Sequence, residues 1–326
     1  MRFTIENCLF GPLSTMLIAA ATAQVPAPAS PPSTAAEPPS TKNVEVLEST
    51  RRSVRSSAEW LARGVDSWFG DRPFQDGGKV TDGRLAVILL KRQDESLNVN
   101  VRFNARFRLP NLEESAYLFF GRDNQRELIT DTPSAFSRQQ RLLTETAANQ
   151  SFFAGFGLAL HDSVDFRLGF RGGLKPYAQV RYRKPWTLSP VDLVEFRQTV
   201  FWSLSEHFGS TTAVSYEHAF SSTLAARWLT LATITQDSKK FEWSSVVGTY
   251  KSYAEQRLLS FEAVASGEQR PHLGLSDIGV QTKWEQLVYK DWLLGEVVLG
   301  HFWPRKDPLV GRGRAWALGA GLKMQF

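Results

Sequence analysis

The sequence predicts an all-β fold, an antiparallel β-barrel that crosses a membrane with its strands. Three observations predict it. Apolar and polar residues alternate through most of the chain from Gly83 onward. The connections between alternating runs sort into a short set and a set that holds all the long ones. The final residue, Phe326, closes one of the alternating runs. In the clearest run, Leu97 to Leu109, every odd position is apolar and every even one is Asn or Arg. Successive side chains of a strand point to opposite faces, so this segment has one apolar and one cationic face. At roughly 3.4 Å per residue it spans about 40 Å. That exceeds a usual soluble strand and suits a tilted strand crossing a bilayer, which needs about 9–11 residues in the hydrocarbon.

The N-terminal part carries different signals. Residues 1–23 read as a secretory signal peptide: Arg2, a mostly apolar stretch from Cys8 to Ala21, and Ala21-Thr22-Ala23 as a small-residue cleavage site. Cys8 is the chain's one cysteine and is expected to leave with it, so disulfides and cysteine-built zinc sites are excluded from the exported chain. Residues 24–42 form a Pro/Ala/Ser linker too poor in apolar residues to build a core. Residues 43–72 predict a periplasmic amphipathic helix, with Asn43 at its start and Gly70 and Pro73 at its end. Val54, Ala58, Leu61, Val65 and Trp68 recur at spacings of four and three and fall on one face. Such a helix either rests on the following domain or plugs it.

The barrel is expected over 83–326. Fourteen strands are predicted, with twelve as the alternative. They lie near 84–92, 97–109, 115–122, 150–161, 164–173, 176–187, 193–206, 211–220, 223–236, 241–253, 257–266, 275–288, 292–304 and 315–326. Short connections such as His161-Asp162-Ser163 and Ser189-Pro190 alternate with a set containing Arg122 to Gln150, Gly267 to Gly274 and Pro304 to Arg314. Outer-membrane barrels have short periplasmic turns and longer external loops. The sorting therefore predicts a bacterial outer-membrane location, reached through the cleaved signal, with lipids of that membrane as neighbours.

On this reading the apolar face meets lipid and the polar face the lumen. Val99, Val101, Phe103 and Phe107 are expected to touch lipid. Trp186, Trp202, Trp243, Trp292, Trp303 and Trp316 fall near strand ends, at headgroup level. The inward set is charged: Arg102, Arg106, Arg108, Arg167, Arg171, Arg181, Arg183 and Arg197 on one wall, Glu217, Glu262 and Glu285 on the other. Unpaired desolvated charges are costly, so these groups are either hydrated or paired. An open lumen makes the arginine wall attractive to small anionic solutes. A closed one has the two walls meeting as an ionic network. Strand count does not choose between them.

Other functional classes leave weaker traces. A net charge of +5, not gathered into a basic run, gives no nucleic-acid footprint. No cofactor is expected, because the sequence has no Gly-rich phosphate loop and no His/Asp/Glu cluster with metal-ligand spacing. His301, at the outer end of the thirteenth strand, is the one catalytic candidate, as a general base of a lipid or lipopolysaccharide hydrolase. The His161-x-Ser163 pair resembles the spacing of such hydrolases but falls in a short turn on the other side. A third alternative is a closed scaffold whose long connection, Arg122 to Gln150, binds a partner outside.

Two resemblances accompany these readings. Trp316, Leu318, Ala320, Leu322, Met324 and Phe326 alternate with small or polar residues to the terminus, which resembles the C-terminal signature read by the barrel-assembly machinery. Asp66 to Asp71, Leu109-Pro110, Gln198 to Trp202, Asp291 to Leu293 and Trp303 to Arg305 together resemble a family of uncharacterised proteobacterial outer-membrane β-barrel proteins. The resemblance spans roughly Ala58 to Phe326. It implies the barrel and its strand order and carries over no activity.

Overall fold

The structure is a computed structural model that describes residues 41–66, 79–108, 115–143, 145, 149–254, 257–270, 272–305 and 311–326. One helix, α1 (Thr41–Asp66), precedes the strands. The first hairpins comprise β1 (Lys79–Arg92), β2 (Asn98–Arg108), β3 (Ala116–Asn124), β4 (Gln150–His161), β5 (Val164–Arg171), β6 (Lys175–Ser189) and β7 (Asp192–Ser203). They continue through β8 (His207–Ala219), β9 (Leu224–Thr235), β10 (Phe241–Ala254), β11 (Arg257–Arg270), β12 (His272–Leu273), β13 (Asp277–Tyr289), β14 (Leu293–Phe302) and β15 (Ala315–Gln325).

Apart from β12, each strand pairs antiparallel with the strands before and after it, β11 pairing directly with β13. The ring closes where β1 meets β15, from Arg84 opposite Gln325 to Arg92 opposite Ala317. Of the fifteen strands, β12 is a two-residue arm folded back on the end of β11, which leaves fourteen staves. The twelve-strand alternative is thereby excluded. Closure leaves the barrel without an open edge, the condition for a β-structure to sit in hydrocarbon.

Alternation sets sidedness. Val99 is 62% exposed and Val101 lies exposed beside it, while Asn100 between them is buried. The same holds for Leu168, Phe170, Val180, Val200, Leu318 and Leu322, all exposed. The apolar belt faces outward, the reverse of a soluble barrel.

Three outward residues depart from the lipid-facing expectation, and α1 is the reason. Phe107 has no exposed surface, being packed with Ala105 against Ala58 of the helix, and Phe103 joins the same cluster. Trp292, expected in the headgroup girdle, is 1% exposed beneath Arg51, whose guanidinium carbon lies 5.1 Å from the ring centre. Leu47 and Val54 complete the contact with Leu85, Leu293, Met324 and Phe326. These partners point outward from four adjacent strands, β14, β15, β1 and β2. From Leu47 to Ala58 a helix rises about 16 Å, which matches the breadth of four strands about 4.8 Å apart. The helix therefore crosses the closing seam on the outside and is not a plug. Leu61 and Val65, on the predicted apolar face, lie outside the described side chains, and Trp68 outside the described residues.

Phe326 is fixed at the same seam. Its N–H donates to the Gly83 carbonyl at 3.0 Å, and its ring stacks on Phe103 at 5.9 Å. The ring occupies the space a side chain at position 83 would need: a Cβ there would lie 2.5 Å from it.

The described residues of the long connection between β3 and β4 do not extend outside. They turn into the barrel through a short helix, α2 (Gln125–Ile129), capped by the Asn124 side chain, and a 3₁₀ turn at Ser134–Phe136.

Candidate functional site

Three apolar side chains of the in-folded segment are spaced around the interior like the feet of a tripod. Ile129 sits among Tyr117, Phe119, Phe153, Tyr177 and Phe201, from the inner faces of β3 to β7. Phe136 sits among Ala213, Leu229, Leu231, Val246 and Val264, from β8 to β11. Leu142 sits among Ile88, Leu90, Val298, Phe302 and Ala317, from β1, β14 and β15. All three are almost fully buried, at 0%, 3% and 2% exposure. Gly319 makes room for the third foot, since a Cβ there would come within 2.9 Å of Leu142.

The charged residues of the segment sort by wall. Its acids meet the arginine side. Arg102 contacts Glu145 at 2.8 Å and Glu127 at 3.4 Å of the segment, and Asp123 of β3 at 3.2 Å. Asp131 lies 3.3 Å from Arg181 and 3.5 Å from Arg197, and accepts from Thr199 Oγ1 at 3.2 Å. Its bases meet the other side. Arg126 pairs with Glu242 at 2.8 Å, and Arg141 donates to Ser244 and Ser266. Gln140 faces Glu296 and Lys283. The segment is thus charge-complementary to both walls. They meet it rather than water alone or each other.

The remaining inward residues fall as follows. Arg106 lies over the Tyr117 ring at 4.0 Å, and Arg108 is the exposed last residue of β2. Arg167 donates to the Tyr117 hydroxyl at 3.0 Å and to Asp165 at 3.1 Å. Arg171 donates to Gln125 of the segment at 3.0 Å and to Ser205. Arg183 pairs with Glu195. On the opposite wall, Glu217 pairs with Arg227 at 3.0 Å and Glu285 with Lys283 at 2.7 Å. Glu262 accepts from Tyr250 at 2.9 Å and from Gln281 at 2.6 Å. Glu262 and Glu285 are held within their own wall and do not reach the arginines.

A cavity of about 530 Å³ lies between the segment and the walls, lined by both signs of charge, among them Arg102, Arg167, Glu262, Lys283 and Asp131. Water needs only about 15 Å³ of such space, so the cavity is roomy and polar enough to hold water. Glu127 lies outside the strands, in α2. Burial pushes its carboxyl up to about 7 against the pull of Arg102 and of the Arg138 N–H.

His301 has no carboxylate or hydroxyl hydrogen-bond partner among the described residues. Its ring meets Trp303 at 4.6 Å and Trp316 at 4.5 Å, and its Nδ1 is buried without a hydrogen-bond partner among the described residues. His218 has Asp192 at 2.8 Å. Ser189 donates to that same carboxylate and not to the imidazole, so the three form no relay.

Sequence reasoning missed Glu127, Asp131 and Glu145, which lie in a stretch read as an external loop. A signal was present: the bulky apolar residues Leu128, Ile129, Phe136, Leu142 and Leu143, with charges of both signs, in an otherwise polar connection.

No protein-family model matches the chain, and no curated protein matches it. Solved structures of similar architecture include the outer membrane channel DcaP of Acinetobacter baumannii, at 8% identity and a TM-score of 0.47, covering 77% of this chain and 98% of that one. They also include OmpT of Vibrio cholerae in a loop L8 deletion form, at 12% identity and 0.43, covering 77% and 100%. A third is the anion-selective porin from Comamonas acidovorans, at 8% and 0.43, covering 76% and 100%.

Proposed function

We propose that the chain is a gated outer-membrane channel for small anionic solutes, narrowed in this state by its own segment between β3 and β4. The observation that carries this reading is how the segment is held. Its acids neutralise Arg102, Arg181 and Arg197, and its arginines engage the opposite wall. A barrel built only to be closed gains little from such an arrangement, because buried ion pairs contribute less than apolar packing of the same volume. An ionic hold beside a chamber able to hold water is instead one that can be released. Release frees Arg197 of its carboxylate and leaves Arg102 and Arg181 with one strand carboxylate each, Asp123 and Asp165, so the wall carries an excess of guanidinium groups that favours anions.

In this account residues 1–23 direct export, Phe326 presents the terminal strand to the assembly machinery, and the outward belt meets outer-membrane lipid. The family of proteobacterial barrels that Gln198 to Trp202 and Trp303 to Arg305 resemble is the natural place for such a protein. Planar-bilayer recording of refolded protein tests the proposal. The expectation is small or intermittent conductance, with a reversal potential in a KCl gradient that shows anion preference. Replacing Arg102 and Arg181 by Ala lowers that preference. A silent bilayer, both with the full chain and after removal of residues 126–143, would overturn the channel reading.

A further inference from the structure

We infer that Arg181, Arg197 and Thr199 form a carboxylate-binding subsite for the solute, and that Asp131 occupies it as a tethered stand-in. A carboxylate solute then loosens the in-folded segment by taking the place of Asp131. This inference rests on the channel reading and deepens it.

The subsite is built independently of its occupant. Arg181 is fixed by Asp165 on the neighbouring strand at 2.6 Å, which orients its other amino group toward Asp131. Thr199 pairs across the ladder with Arg181, and Arg183 with Arg197, so the three donors stand on adjacent staves β6 and β7. The flanking charges are compensated: Arg183 by Glu195 and Arg167 by Asp165.

The occupant fits loosely. Asp131 is reached at 3.2 to 3.5 Å by all three donors, whereas charge-assisted bonds settle at about 2.7–2.9 Å. Its backbone is left-handed, with φ of 51°, a conformation most side chains avoid. Arg197 Nη2 is buried with no hydrogen-bond partner among the described residues. A carboxylate free of the backbone could settle closer and take up this spare donor. It also has a route, since Asp131 lines the chamber of about 530 Å³. A tethered group competes at roughly millimolar effective concentration, so solute affinity in the native chain is held down by Asp131 itself.

The test is calorimetric titration of succinate into the full chain in detergent, native and Asp131→Asn, with succinamide as the uncharged control. The expected result is at least tenfold tighter succinate binding in Asp131→Asn, no succinamide binding in either, and loss of the gain when Arg197→Ala is added. Thr199→Val in the native background, a shape-preserving change, is expected to weaken succinate binding as well. Equal binding by native and Asp131→Asn protein, or a gain that survives Arg197→Ala, would overturn the subsite. If Asp131→Asn does not fold, unchanged succinate binding by Thr199→Val does so. Binding is read without current, so the two proposals fail separately. A binding gain with a silent bilayer leaves the subsite and removes the channel, and a conducting barrel with no gain does the opposite.

Discussion

Two of the carboxylates that hold the segment between β3 and β4 are of opposite character. Glu145, 1% exposed at its side chain, accepts from Arg102 at 2.8 Å, from Asn124 at 3.1 Å, and from Asn100 and Gln150. Asp131 is more exposed, at 13%, and has longer contacts from a left-handed backbone. One carboxylate is saturated with donors and the other is not. The contrast teaches that burial of a charge alone does not make an anchor; the completeness of its hydrogen bonding does. In the proposed gate, Glu145 is the hinge of the segment and Asp131 its latch.

The largest effect expected from this contrast is on stability. Removing one partner of a buried, fully bonded charge costs about 3 kcal/mol, so Glu145→Ala lowers the urea midpoint of barrel unfolding. Asp131→Ala is expected to cost only about 1 kcal/mol, as for one ordinary hydrogen-bonded group. Equal shifts for the two variants would erase the distinction between hinge and latch.

The apolar feet come next. Phe136→Ala is expected to weaken the hold on the segment by about 3 kcal/mol, read as higher mean conductance and faster proteolysis within 126–143. Removal of α1 is the control: the helix lies outside the seam, so its loss raises Trp292 fluorescence quenching by soluble iodide and leaves conductance unchanged. A conductance rise without α1 would restore the plug reading.

The smallest effect is that of pH. The in-folded state holds the Glu127 carboxyl at about 7, above its ordinary range, through burial. A raised carboxylate pKa means that this state binds the proton more tightly than the released, solvated one. The hold therefore strengthens as pH falls through 7 toward the ordinary carboxylate range, and weakens above 7. Mean current is expected to fall between pH 8 and pH 5.5, and Glu127→Gln to flatten the profile.

The barrel was legible because strand geometry converts alternation directly into sidedness. Val99, Asn100, Val101 and Arg102 stand where a period of two places them. The segment was not legible, because Ile129, Phe136 and Leu142 have no periodicity. Their pockets are assembled from strands as far apart in sequence as Ile88 and Ala317. For α1, the spacing of Val54 and Ala58 identified an apolar face but could not say which side of the wall receives it. The same gap led Phe103 and Phe107 to be read as lipid contacts and Trp292 as part of the headgroup girdle.

A reversible lock between latch and wall tests the gate most directly. Cys8 is the chain's one cysteine and lies within the predicted signal peptide, so a pair introduced as Asp131→Cys and Thr199→Cys, whose native side chains touch at 3.2 Å, reports alone. The account predicts that oxidation drops single-channel conductance to the narrowed level and that reductant restores it. Identical conductance in the oxidised and reduced states, with the disulfide confirmed by mass spectrometry, would contradict a movable segment latched at Asp131.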